Sequence, residues 1–231
     1  GLILENRLAA VMGGKVAPGG LGAGPLAGVA PFIEQLAAPT ATPGGGSAAA
    51  ASGAMAAGLA GMVASMSRGK KAYAQYESQL SEAIGRLAAL REELKAAING
   101  DAASYEAVMK AYKAAREAGD GGKGLVNSAL KEAAGVPLGV AERAAEVKRI
   151  AAGLGGMTSP MMKSDLTTAM ALAGAAVTGA LANVEINLDS IQGGSIEAAS
   201  AEDEAFVREM RGRAAGLDAA SVGRIETNAA S

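Results

Sequence analysis

Cysteine, histidine and tryptophan are all missing from this chain of 231 residues, and its aromatics amount to two Phe and four Tyr. Without Cys there is no disulfide and no thiolate to bind a metal. Without His as well, transition-metal catalysis loses its usual donors, and acid–base work falls to carboxylates, Lys, Tyr or the substrate itself. Charge of neither sign dominates. Lys and Arg number 21 against 23 Asp and Glu, a formal net charge of −2, so no basic field exists to hold nucleic acid.

What fills the chain instead is Ala and Gly, with 33 Gly. Ala is the best helix former and a poor strand residue. The fold class is therefore all-α, a bundle of about eight helices in a single main domain. "GLILENRLAAV" carries Glu5 and Arg7 inside its apolar pattern, which a signal peptide would not, so a cytoplasmic location is expected. It reads as if it begins in mid-element, like a piece of a longer protein.

Along the chain, residues 1–25 form a linker-like segment, with a short amphipathic helix at 2–12 and the Gly/Pro run "GGKVAPGGLGAGP". The helical domain spans 26–213 and starts with a helix near 26–37. Tyr73, Tyr76, Leu80, Ile84, Leu87, Leu90, Leu94 and Ile98 recur at three- and four-residue steps and predict a helix over 70–98. Asn99-Gly100 should end it, with Asp101 capping the next, at 101–117. Pro137 should kink or split a helix at 125–152. A charged amphipathic helix follows Gly193-Gly194, and 214–231 is a polar tail.

Two helices stand apart, near 47–66 and 165–190, because they are almost uncharged on every face. No charged side chain occurs from Gln35 to Ser67. A helix apolar all round is buried, in a membrane or inside a bundle. Ala and Gly add little to insertion and there is no Leu/Ile run, so the expectation is two central helices of a bundle and no membrane.

Four constellations could carry chemistry. Gly44, Gly45 and Gly46 precede the first of these helices, leaving N–H groups and the positive dipole end open to a ligand, with Ser47 able to cap. Neither a P-loop Lys-Ser/Thr nor a preceding strand accompanies them. Ser164 and Asp165 open the second helix, as a cap or as a carboxyl group beside apolar surroundings. Asn183 and Asn187, four apart, share one face of it. Arg68, Lys70 and Lys71 form a basic cluster, either simply solvated or suited to a carboxylate tail.

The segments "PTATPGGGSAAAASGAMAAGLAGMVASMSRGKKAY", Asp101 with "AASYEAV", "GVPLGVAE" and "KSDLTTAMALAGAAVTGALANVEINL" come in the order found in the cyclodeaminase/cyclohydrolase family of folate enzymes, which the chain resembles from about residue 26 to 213. That family includes the C-terminal domain of formiminotransferase-cyclodeaminase. One departure is Thr158-Ser159, where the family usually has Gly-Asn.

The resemblance implies an all-helical domain that dimerises, or forms a higher homo-oligomer, and binds a tetrahydrofolate derivative, with or without a polyglutamate tail, between helices. It implies one of two reactions. Either 5-formimino-tetrahydrofolate closes to 5,10-methenyl-tetrahydrofolate with loss of ammonia, or the methenyl and 10-formyl forms interconvert by hydrolysis. On this reading Asp165 transfers the proton. Gly44, Gly45, Gly46, Ser47, Ser164, Asn183 and Asn187 hold the pterin or the one-carbon unit, and Lys70 holds the glutamate tail. No metal and no cofactor beyond the folate are needed. "LILENRLAAVMGGKVAPGGLGAGPLAGVAPFIEQL" is similar to the segment that joins the two domains of the bifunctional enzymes. That favours the cyclodeaminase, with a fused formiminotransferase domain as a partner. A non-catalytic helical oligomerisation domain is the alternative of another class.

Overall fold

The computed structural model describes residues 25–119, 124–193 and 199–222, with side chains up to 217 in the last stretch. Regular structure among the described residues is entirely helical. In chain order the α-helices are α1 Pro25–Ala37, α2 Gly45–Ser67, α3 Glu77–Ala118, α4 Leu125–Gly153, α5 Lys163–Gln192 and α6 Ala201–Val222. Single 3-10 turns lie at Lys71–Tyr76, Leu154–Gly156 and Pro160–Met162.

Six α-helices among the described residues fall short of the eight expected, for identifiable reasons. Asn99-Gly100 does not end a helix, and α3 runs through it for 42 residues. Pro137 does not split α4, which is continuous over 29 residues. Burial explains both, since Leu94, Val108, Pro137 and Leu138 are packed on neighbours and packing overrides local propensity. The expected 2–12 helix lies outside the described residues. The polar tail begins later than 214, because α6 continues to Val222.

The chain divides into two units, Gly1–Pro39 and Thr40–Ser231. In the first, α1 exposes Leu26, Val29 and Ile33. In the second, α2, α3, α4 and α5 pack side by side, and α6 lies against α4 and α5. Close contacts set the directions. Gly53 meets Leu94 and Gly61 meets Leu87, so α2 and α3 are antiparallel. Gly45 lies by Asn183, Gly179 by Ala49 and Gly53 by Ala176, so α2 and α5 are antiparallel too.

Helix α2 is shorter than its neighbours, and the interior holds two large cores beside a small third cluster of Ala144, Ala176 and Val177. One core surrounds α2 and takes in Leu80, Leu87, Leu90, Leu94, Val147 and Leu166. The other holds Val108, Leu130, Leu138, Leu188, Ile191 and Val207, from α3, α4, α5 and α6. The N-terminus of α2 sits where the two meet, a waist half-way along the bundle.

Small residues let α2 come close to its neighbours. A Cβ on Gly53 would lie 3.2 Å from both Leu94 Cδ atoms and 3.5 Å from the Ala176 Cβ. Gly53→Val is expected to lower stability by about 2 kcal/mol through overpacking, a fall in Tm of about 4–8 °C for a domain of this size. A calorimetric melt checks it.

The α6 helix is held by an ion pair between the half-buried Lys131 and the buried Asp203. Lys131 Nζ lies 2.6 Å from Asp203 Oδ1. Asn127 Nδ2 and the Ser200 N–H and Oγ donate to Asp203 Oδ2 at 3.0, 2.9 and 2.9 Å. Burial works against the charged carboxylate, but the bonds from Lys131, Ser200 and Asn127 outweigh it and hold the Asp203 pKa well below the usual range. A depressed carboxylate pKa contributes stability above the unfolded pKa of about 3.9 and loses it as pH falls. Wild type is therefore expected to exceed Asp203→Asn by about 2–3 kcal/mol at pH 7, a gap that narrows progressively below about pH 4. Denaturant melts of both proteins from pH 7 to pH 3 read this directly.

Candidate active site at the waist

The glycine turn does not form an open anion site. Gly44 takes the N-cap position, its backbone extended, and no side chain of the turn itself caps the helix. Asp101 reaches across from α3 instead. Its Oδ2 accepts from the Ser47 N–H at 2.8 Å and from Ser47 Oγ at 2.9 Å. Ser47 Oγ is also 3.0 Å from the Ile98 carbonyl oxygen, and Ser47 is fully buried. The positive end of the α2 dipole thus already faces a carboxylate.

This arrangement explains Gly46. A Cβ built there would collide with Asp101 Oδ1, so only Gly lets the carboxylate approach. Gly45 is exposed and Gly46 buried, and neither has a positive φ, so close approach is the reason for glycine here and left-handed geometry is not. At Gly45 an added Cβ would lie 3.5 Å from Asn183 Nδ2, in ordinary contact.

Sequence reasoning placed Asp101 only as a helix cap. In the structure it is half-buried in the middle of α3. A signal was available. Leu80, Leu87, Leu94, Val108 and Ala115 are buried at heptad spacing, and Asp101 occupies the one remaining position of that register. A carboxylate in a core register must have partners.

Asn183 and Asn187 share this end of the site. Both are half-buried. Asn183 Nδ2 donates to the Gly179 carbonyl at 2.8 Å and Asn187 Nδ2 to the Asn183 carbonyl at 3.1 Å. Each amide therefore satisfies one donor on its own helix and keeps its carbonyl oxygen for something else.

The other predicted residues lie elsewhere in the same chain. Asp165 and Asn183 are 18 residues apart on the one helix α5, about 27 Å at 1.5 Å per residue. Met162 occupies the N-cap position of α5 with no side-chain bond, so neither Ser164 nor Asp165 is the cap. Asp165 is half-buried, Ser164 exposed. Lys70, with Arg68 and Lys71, follows the C-terminus of α2 at that same far end, and all three are exposed. Thr158 is buried and donates to the Leu154 carbonyl at 2.9 Å, closing the turn before α5. A hollow of about 530 Å³ on the last turns of α3, lined by Met109, Tyr112, Lys113, Arg116 and Glu117, includes none of these residues.

Residues 28–215 match the formiminotransferase-cyclodeaminase family. The chain belongs to that family. It is 33% identical over 195 residues to the methenyltetrahydrofolate cyclohydrolase of Methylorubrum extorquens, covering 80% of this chain and 86% of that protein. The formimidoyltransferase-cyclodeaminase of Sus scrofa is 30% identical over 189 residues, 80% of this chain but 33% of the pig protein. A solved structure, the formiminotetrahydrofolate cyclodeaminase of Thermotoga maritima, superposes with a TM-score of 0.73 at 31% identity, over 83% of this chain and 88% of that one. The chain thus spans most of the Methylorubrum extorquens and Thermotoga maritima proteins and about a third of the pig protein. Asp101, Ser47, Asn183 and Asn187 all lie within the matched residues 28–215.

Proposed function

We propose that the waist binds a tetrahydrofolate derivative and that the reaction is closure of 5-formimino-tetrahydrofolate to 5,10-methenyl-tetrahydrofolate with release of ammonia. One observation carries the reading: Asp101 is a carboxylate fixed in a core register of α3 and delivered to the α2 N-terminus.

The chemistry needs such a group. Folate N10 attacks the formimino carbon and gives up its proton as the N10–C bond forms; that proton and one more pass to the departing nitrogen, whose bond to the carbon breaks as ammonia leaves. Positive charge is shared over the carbon and its two nitrogens in the methenyl product. A carboxylate fixed beforehand stabilises that cation without reorganising, and a free Oδ1 can pass a proton. Gly44 and Gly45 give the flat ring close access to backbone, with Gly46 and Ser47 buried beneath and seating Asp101, while the free carbonyl oxygens of Asn183 and Asn187 accept from its N–H edge. Lys70, at the far end of α2, takes an extended glutamate tail, while Ser164 and Asp165 at that same end are too distant to share in proton transfer at the waist of their own chain. No metal or further cofactor enters this scheme. A formiminotransferase domain, fused or separate, would supply the formimino group.

Hydrolytic interconversion of the methenyl and 10-formyl forms is the second reading, favoured by the identity to the Methylorubrum extorquens cyclohydrolase over most of that protein's length. Absorbance of the methenyl product, followed separately from 5-formimino- and from 10-formyl-tetrahydrofolate, separates them. Turnover of the first substrate supports the cyclodeaminase, and turnover of the second alone supports the cyclohydrolase. With neither, the enzymatic reading falls in favour of a non-catalytic oligomerisation domain.

A further inference from the structure

Past its N-terminus α2 leaves a gap that its neighbours keep open, since α3 and α5 pack on α2 and α4 rather than on each other. On α3, Leu87, Arg91, Leu94, Ile98 and Asp101 meet α2. At about 100° per residue they lie within about 40° of one direction. Tyr105, Met109, Tyr112 and Arg116 continue in that direction. Yet α2 begins at Gly45, level with Asp101 and Asn183, and does not reach them. Tyr105 is 43% exposed and Met109 49%. The hollow lined in part by Met109, Tyr112 and Arg116 is the outer end of this gap.

The two walls differ in chemistry. On α5, Ala176, Gly179 and Asn183 meet α2, and Asn187 follows on the same side. The amides of Asn183 and Asn187 keep their carbonyl oxygens free. On α3 the next side chain in line beyond Asp101 is Tyr105, one turn or about 6 Å further on. An exposed tyrosine is ordinary by itself. Of the four in this chain, however, Tyr73, Tyr76 and Tyr112 pack against a core, and Tyr105 joins none. An aromatic ring left half bare, in a gap one helix wide and beside a carboxylate, suits a second flat ring.

We propose that Tyr105 is the platform on which the fused ring system of the folate stacks. The ring stands in the gap with one face on Tyr105 and the Met109 thioether. Its N–H edge donates to the Asn183 and Asn187 carbonyl oxygens, and the one-carbon unit lies toward Asp101. The rest of the molecule leaves on the side of Lys70. This assignment rests on the folate reading and adds to it the residue that selects a flat bicyclic ring. Stacking holds substrate and transition state alike, so its loss weakens binding and leaves the chemical step in place.

Steady-state kinetics on the full chain test it, with whichever of 5-formimino- and 10-formyl-tetrahydrofolate the wild type turns over. Tyr105→Leu should raise KM about 10- to 100-fold, the usual range for a lost stacking partner, with kcat within about threefold of wild type. Tyr105→Phe keeps the ring and should restore most of the wild-type KM. Both should melt with the wild type, because Tyr105 belongs to no core. Tyr105→Gln, also a good helix former, should repeat the leucine result and guards against a local effect of Leu. Two fragments locate the ring. Tetrahydropterin should inhibit the wild type and lose about tenfold or more in Tyr105→Leu, whereas p-aminobenzoylglutamate should inhibit both proteins equally.

An unchanged KM in folded Tyr105→Leu, a loss confined to kcat, or a Phe variant as poor as the Leu variant would overturn the assignment. So would a tetrahydropterin that inhibits neither protein, or a loss that falls on p-aminobenzoylglutamate instead. Each of these leaves the folate reading standing, since the wild type still turns over. A wild type that turns over and binds neither folate ends that reading and the platform with it.

Discussion

Asp101→Asn is expected to fold normally and to lose about 100- to 10,000-fold in kcat. An Asn oxygen can still accept from the Ser47 N–H and Oγ, and Asn caps a helix about as well as Asp, so the melt should shift by less than about 1 kcal/mol. What disappears is the negative charge and the exchangeable proton. If Asp101 only seats α2, the conservative change is silent. If it stabilises the developing cation and moves the proton, kcat falls far more than KM rises. Methenyl absorbance beside a circular dichroism melt reads both, and near-wild-type kcat in a folded variant would return the role to structure.

The fold class was open to reading because Ala content and missing β-formers leave little else. The ends of α2 and α5 came within two residues for the same reason: Gly44 and Gly193 are local stop signals, and local signals survive in the sequence. The joins of α3 and α4 did not, since Asn99-Gly100 and Pro137 are breakers overruled by neighbours distant in sequence. The same blindness hid the chemistry. The glycine turn looked vacant because its occupant, Asp101, lies 54 residues from Ser47. Asp101 in turn looked like a cap because a helix boundary was expected beside it. Uncharged helices were read as central, though α2 and α5 each leave one side exposed, and composition alone does not separate such a face from a core.

The sharpest test of the waist is the glycine that no ligand needs to touch. With negative φ and a place in the first turn of α2, Gly46→Ala would ordinarily stabilise the protein by about 0.5–1 kcal/mol. Here the sign should reverse. The new Cβ takes the place of Asp101 Oδ1, so the carboxylate must leave Ser47 or α2 must shift, and both bonds to Ser47 are at stake. Loss of the cap and the overpacking together should lower stability by about 2–4 kcal/mol. Turnover should fall about as far as in Asp101→Asn, 100-fold or more, because the displaced group is the same one. Remove the carboxylate first and the conflict ends. In an Asp101→Ala background the Gly46→Ala change should be neutral or slightly stabilising and should reduce kcat no further, a coupling of about 2 kcal/mol or more between the two positions. Denaturant melts and kcat on the four proteins of the cycle measure it. Additive effects would mean that Gly46 and Asp101 do not meet as the structure has them.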